Sequence, residues 1–232
     1  MPDTPRIVSI VPMRHHSERV AGKNYRLFAG RPLYHYIIEA LLACRQIAQV
    51  VIDTDSQTIM EDTAKNFPVV RVLERPAHLR AGDTPMNDVL LNSIAQIEAD
   101  FYLQTHSTNP LLRPETVSAA IERFIGSYPI HDSLFSVTRW QTRLWDQLAR
   151  PLNHNAAILL RTQDLPPLFE ENSCLYIFTR ELLERRHNRI GERPLMFEIA
   201  RREAADIDEE IDFEIAELLY RRTMGTDREG SS

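Results

Sequence analysis

Over most of its 232 residues the chain alternates short, β-branched apolar runs with stretches of helical period. No other feature constrains the fold as strongly. A buried strand followed by an amphipathic helix, repeated, builds parallel βαβ units with helices on both faces of one sheet. The strands expected are "RIVSIV" (6–11), "QVVID" (49–53), "VVRVL" (69–73), "FYLQT" (101–105), "SLFSVT" (133–138), "CLYIF" (174–178) and "LMFEIA" (195–200). Most are apolar without alternation, the pattern of strands covered on both sides. Helices are expected over 32–47, 83–99, 113–125 and 209–222. Pro32 and Pro114 sit at favoured first-turn positions, Asp83 and Thr84 offer caps, and 209–222 places acids first and arginines last, as the helix dipole favours. The fold class is therefore α/β, a mostly parallel sheet with helices on both faces. Between 139 and 167 the alternation lapses in a segment holding Trp140 and Trp145, read as an excursion that covers a site or a partner subunit.

The length suits one domain, here 1–224, followed by a polar tail expected to be flexible at 225–232. A net charge of −6 argues against a nucleic-acid polymer as partner, which requires a broad basic face. No stretch approaches the ~20 apolar residues of a membrane span. Cys44 and Cys174 are far apart and form no zinc or disulfide pattern. The opening "MPDTPR" has no apolar leader and runs into a strand, so a cytoplasmic location is expected.

Against that acidic background, the loop "VPMRHHSERVAGKN" (11–24) follows the first strand with Arg14, Arg19 and Lys23 beside Ser17. Ligands of open α/β sheets bind at the carboxyl ends of the strands. There these cations could hold phosphate oxygens, Arg as a fork and Lys as a point charge. Neither GxGxxG nor GxxxxGK[ST] is present. Taken alone, the loop reads equally as a solvated surface. In "ADIDEEIDF", Asp206 and Asp208 share a face if extended and could hold a hard divalent cation; alternatively one of them caps the following helix, with Asp212 on its surface. Thr54 and Asp55, Arg75, and Gln104, Thr108 and Asn109 stand just past apolar strands, where turn formers also stand. His15 and His16 suit loop packing or phosphate contact.

Together these blocks resemble the cytidylyltransferases that activate 2-keto-3-deoxy sugar acids, above all the acylneuraminate (CMP-sialic acid) synthetases. Where that family reads "ARGGSKGIPGKN", this chain has "PMRHHSERVAGKN"; "STD" corresponds to "DTD", "RP..L" to "RPAHL", "LQPTSPL" to "LQTHSTNPLL", "Q.LP" to "QDLP", "ENGAIYI" to "ENSCLYI" and "DIDT..D" to "DIDEEID". The resemblance runs from first strand to last helix. It implies the Rossmann-like fold of nucleotide-diphospho-sugar transferases, with 139–167 as a dimerisation excursion in a homodimer. It further implies CTP phosphates on Arg14, Ser17, Arg19 and Lys23, with Asn24 and Arg75 near the nucleotide. The sugar acid would lie near Gln104, Arg161, Gln163 and Asn172, and Mg2+ would be held by Asp206 and Asp208. Arg14, Lys23 and Asp208 would be catalytic. The activity implied is transfer of CMP from CTP to the anomeric hydroxyl of the sugar acid, with release of pyrophosphate.

This chain departs from the pattern in three places. Glu18 replaces the lysine after the loop serine, while Arg19 matches the arginine of "STRLPGK" in the related 3-deoxy-manno-octulosonate cytidylyltransferases. The "RQ" before "LP" is Thr162-Gln163, with Arg161 one place early. Asn172-Ser173 replaces "NG", losing the residue that most easily takes positive φ. Alternative functions are transfer to another sugar or from another nucleotide, a nucleotide-sugar glycosyltransferase, or a nucleotide-binding homologue without activity.

Overall fold

The computed structural model describes residues 5–229. Seven strands form one sheet in the order β5-β4-β1-β6-β8-β7-β9. These are β1 (Ile7–Met13), β4 (Ile47–Thr54), β5 (Arg71–Glu74), β6 (Phe101–Gln104), β7 (Ser133–Trp140), β8 (Leu168–Phe178) and β9 (Pro194–Glu198). A separate two-stranded ribbon pairs β2 (Leu27–Phe28) with β3 (Arg31–Pro32). β1 lies parallel to β4 and β6, β4 to β5, and β7 to β9; β8 runs against both β6 and β7. All seven expected strands are found, and the antiparallel β8 is a feature that apolar runs cannot reveal.

Burial follows the pleat. Ile7 and Val11 of β1 join a core with α1 (Leu33–Ala43) and α4 (Pro114–Ile125), through Ile37, Leu41, Ile121 and Phe124. Val8 and Ile10 face the other way, onto α3 (Met86–Ile94) and α5 (Arg180–Arg186), through Leu90, Ile94, Leu182 and Leu183. Helices thus cover both faces. Two of them, α2 (Gln57–Asn66) and α5, were not expected: α2 buries only Ile59 and Thr63 and α5 only Leu182 and Leu183, too few positions to register as a helical period.

A third cluster positions the site. Val20 of the basic loop packs with Phe28, Leu33 and Tyr36, and against Ile207, Phe213 and Ala216 of the last segment and α6 (Glu210–Glu229). Arg26 reinforces the contact, pairing with Glu210 at 2.6 Å and lying 4.4 Å from the Phe213 ring. α6 carries the chain through most of the segment expected as a tail; 230–232 lie outside the described residues.

In 139–167, β7 ends at Trp140, a bridge joins Trp145 to Pro151, and a short 3-10 turn spans Thr162–Asp164. The segment leaves Leu148, Leu152, Ile158 and Leu159 exposed. Among the described residues no helix is long and apolar enough to cross a membrane.

Candidate active site

The chain steps outward from β1 to β4 to β5 and then returns past β1 to β6. That reversal opens a crevice at the carboxyl ends of β1 and β6, where ligands of such sheets bind. A cavity of about 480 Å³ lies there. Its walls include Arg14, Ser17, Glu18, Arg19, Lys23, Asn24 and Arg75 from one side of the sequence, and His106, Ser107, Thr108, Ser173, Arg189, Asp206 and Asp208 from the other.

The first wall is the basic loop. Asp55 at the end of β4 accepts the backbone N–H of His15 (2.7 Å), and His15 Nδ1 meets Ser56 Oγ (2.8 Å) while its ring stacks on Tyr25 at 5.2 Å. Asp55 and His15 therefore hold the loop down. Gly22 adopts φ +60°, and a Cβ there would lie 2.8 Å from the Tyr25 ring, so only glycine suits this turn. Asn24 donates to Arg14 O (2.7 Å) and accepts from Ser107 Oγ (2.6 Å), lashing the loop to the segment after β6. Arg14 Nη1 donates to Gly82 O (2.7 Å).

The second wall is the aspartate segment. Ile207 is fully buried in the third cluster, so its neighbours Asp206 and Asp208 turn to the cleft, as alternation in an extended segment requires. Burying that side chain contributes roughly 2–3 kcal/mol to holding the pair in place. Neither caps the helix. Asp212, expected on the helix surface, reaches back to accept the N–H groups of Asp208 (3.1 Å) and Glu209 (2.8 Å), the return arm of a capping box.

The two walls meet. Arg19 Nη2 lies 2.8 Å and Lys23 Nζ 3.7 Å from Asp208 Oδ1, and Lys23 also donates to Ile207 O (2.5 Å). The Arg19 pair is open to solvent and worth no more than about 1 kcal/mol, so a phosphate can displace it readily. Burial pushes the Lys23 amine below its ordinary value, with Asp208 and Asp206 opposing. Burial also raises the Asp206 carboxyl, to which Asp208 adds while a Thr108 hydrogen bond and Lys23 oppose. Asp206 Oδ1 is buried without a hydrogen-bond partner, the condition of an acceptor awaiting a cation. No group of three or more His, Cys, Asp or Glu side chains suited to a metal occurs among the described residues, so any ion held here must draw further oxygens from ligand or water.

Arg75 borders the cleft but is 2% exposed and committed to Asp53, its Nε 2.6 Å from Oδ1. Gln104 is buried behind the wall, where its Nε2 donates to Thr105 O (3.1 Å) and to His106 Nε2 (2.9 Å). Burial, and then the charges of Arg189 and Lys23, push the His106 imidazole down to about 3, so it faces the cleft neutral. Three other expected residues are not among the walls. Arg161 is exposed and paired with Asp164 (2.7 Å), and Gln163 is exposed with its carbonyl accepting from Gln141 (2.6 Å). Asn172 is buried between strands, accepting from Ser136 Oγ (2.5 Å) and donating to Thr138 Oγ1 (3.0 Å). Its neighbour Ser173 reaches the wall instead, keeping φ +58° without being glycine, a strain of about 1 kcal/mol or more.

His106 and Arg189 escape sequence reading because each is a single loop residue with no spacing partner. The topology explains Arg189. Since β8 descends, α5 must climb back: Arg180 at its start donates to Ile94 O (2.6 Å) at the far end of α3, and His187 after its end pairs with Asp88 (2.6 Å) near the cleft end of α3. The next residues bring Arg189 to the rim.

If Lys23 neutralises charge that builds up on phosphate oxygens during displacement at phosphorus, Lys23→Ala should remove about 2–4 kcal/mol of transition-state stabilisation, read as a fall in kcat/KM of roughly 30- to 1000-fold. An unchanged kcat/KM would place the lysine outside the chemistry.

Residues 8–223 match the family described as Cytidylyltransferase. The chain is 28% identical over 231 residues to CMP-N,N'-diacetyllegionaminic acid synthase of Legionella pneumophila, covering 92% of this chain and 96% of the relative. It is 26% identical over 225 residues to pseudaminic acid cytidylyltransferase of Campylobacter jejuni, covering 91% and 95%. A solved structure of CMP:2-keto-3-deoxy-manno-octonic acid synthetase complexed with CTP superposes with a TM-score of 0.70 at 14% identity, over 94% of this chain and 99% of that one, which shows the shared fold. With nearly its whole length matched, and with a crevice where a nucleotide-binding α/β sheet keeps one, the chain belongs to the cytidylyltransferase family.

Proposed function

We propose that this enzyme transfers CMP from CTP to the anomeric hydroxyl of a 3-deoxy-2-keto sugar acid of the nonulosonate kind and releases pyrophosphate. The observation that carries the reading is the meeting of Arg19 and Lys23 with Asp208, 185 residues or more away, in one cleft. Relatives named for legionaminic and pseudaminic acid support the choice of sugar.

Arg14 and Lys23 grip the β- and γ-phosphates, and Arg19 swings from Asp208 onto them once the nucleotide arrives, offsetting the charge of the departing pyrophosphate. Ser17 adds a hydroxyl donor. Asn24 acts through the loop it ties to Ser107, and Arg75 shapes the nucleotide wall from its buried pair. Asp206 and Asp208 would hold Mg2+, whose chemistry there is to polarise the α-phosphate for in-line attack by the sugar hydroxyl. The unpartnered Asp206 oxygen fits that ion. The excursion serves a homodimer: the exposed apolar side chains of Leu148, Leu152, Ile158 and Leu159 suit a second copy of the chain. CTP as co-substrate suits the cytoplasm.

The test is pyrophosphate release from CTP with Mg2+ across a panel of N-acetylneuraminate, legionaminate, pseudaminate and 3-deoxy-manno-octulosonate, repeated with UTP, ATP and GTP. Release that needs both CTP and one of the acids supports the proposal. Release with another nucleotide in preference to CTP, or none with any acid, contradicts it.

A further inference from the structure

Each cation of the cleft except one is engaged. Arg14 donates to Gly82 O, Arg19 and Lys23 lie on Asp208, and Arg75 is paired with Asp53. Arg189 makes no hydrogen bond or ion pair among the described residues; its guanidinium lies 3.7 Å from the Tyr176 ring centroid, and its Nη1 is buried with no partner. A buried guanidinium N–H left without an acceptor is costly, and such a group in a ligand cleft is accounted for when the ligand brings the acceptor.

The place of Arg189 separates it from the phosphate-binding loop. Tyr176, beneath it, belongs to β8, and the basic loop leaves β1, with β6 between. Two strand spacings of about 4.8 Å each separate β8 from β1, and the aspartates and neutral His106 line the same cleft. The loop bearing Arg189 is rigidly built. Gly191 N donates to Ser133 Oγ (2.8 Å) and Glu192 N to Asp132 Oδ2 (2.9 Å), and a Cβ on Gly191 would fall 2.1 Å from Asp132 Oδ1. Arg161, to which the sequence resemblance points for the sugar carboxylate, is 73% exposed, bound to Asp164 and not part of this wall.

We propose that Arg189 binds the carboxylate of the sugar acid and so selects an acidic sugar at the acceptor end of the cleft. The planar guanidinium matches the two oxygens of a carboxylate, and its seat over the Tyr176 ring, 3.7 Å from the centroid, restrains its position. This assignment rests on the sugar-acid reading above.

Steady-state kinetics with the panel acid that the wild type uses best tests it. Arg189→Ala is expected to raise KM for the sugar acid about 10- to 100-fold and leave KM for CTP within about two-fold, with Arg189→Lys recovering only part of the loss. The carboxamide of the same sugar should be as poor for the wild type as the acid is for Arg189→Ala, and that variant should no longer distinguish acid from amide. A rise confined to KM for CTP, an unchanged KM for the acid, or retained discrimination against the amide would overturn the assignment while leaving the transferase reading intact. A wild type that releases no pyrophosphate with any panel acid would overturn both.

Discussion

Replacing Asp208 with alanine is expected to lower kcat by about 1000-fold or more while leaving the protein folded, because in the proposed reaction Asp208 would help hold the Mg2+ that offsets charge in the transition state. The side chain is 48% exposed, so its removal opens no cavity. The helix start also survives, since Asp212 and not Asp208 satisfies the N–H groups there. Asp212→Ala supplies the contrast: it should cost about 1 kcal/mol of stability, the usual value of a lost cap, with a much smaller effect on kcat. The two variants thus separate chemistry from capping within four residues. If Asp208→Ala retained wild-type turnover with Mg2+, the aspartate pair would have no part in the reaction.

The largest loss of stability is expected from Asp53→Ala. Asp53 is fully buried and holds the nearly buried Arg75 through Nε at 2.6 Å, while Ser93 Oγ donates to its other oxygen at 2.9 Å. Removing one partner leaves a charge buried and uncompensated, which costs about 3–5 kcal/mol, whereas replacing both by apolar residues of similar volume costs far less. Urea denaturation should therefore show a large fall in midpoint for Asp53→Ala at unchanged slope, and most of it restored in Asp53→Leu/Arg75→Met. A loss under about 1 kcal/mol in the single variant would mean that water reaches Arg75, contrary to its burial.

The same residues show what a sequence can and cannot convey. The strands and four helices were legible because their apolar periods are long, and α1 alone buries eight residues. α2 and α5 were not, since each buries two. The basic loop and the aspartate pair stood out by composition, and their meeting was implied by family resemblance; its physical cause is the burial of Val20 and Ile207 in one cluster, a contact between positions too distant for any local pattern to register. Asn172 and Arg75 carry the expected identities in the expected blocks, yet the structure commits their polar atoms to Ser136, Thr138 and Asp53. Motif spacing places Asn172 on β8 and Arg75 just past β5 but does not say whether their side chains turn to the cleft or into the interior. Arg189 lay beyond motif reading altogether, because only the reversed direction of β8 brings the loop after α5 to the cleft.

Whether one cleft joins a nucleotide's α-phosphate to a sugar acid can be read from phosphorus NMR of the wild-type enzyme turning over CTP with the preferred panel acid. One equivalent of pyrophosphate is expected for each equivalent of a new CMP phosphodiester at the anomeric carbon, both lost together in Asp208→Ala. Formation of CDP and inorganic phosphate, or CTP left intact beside every acid, would contradict it.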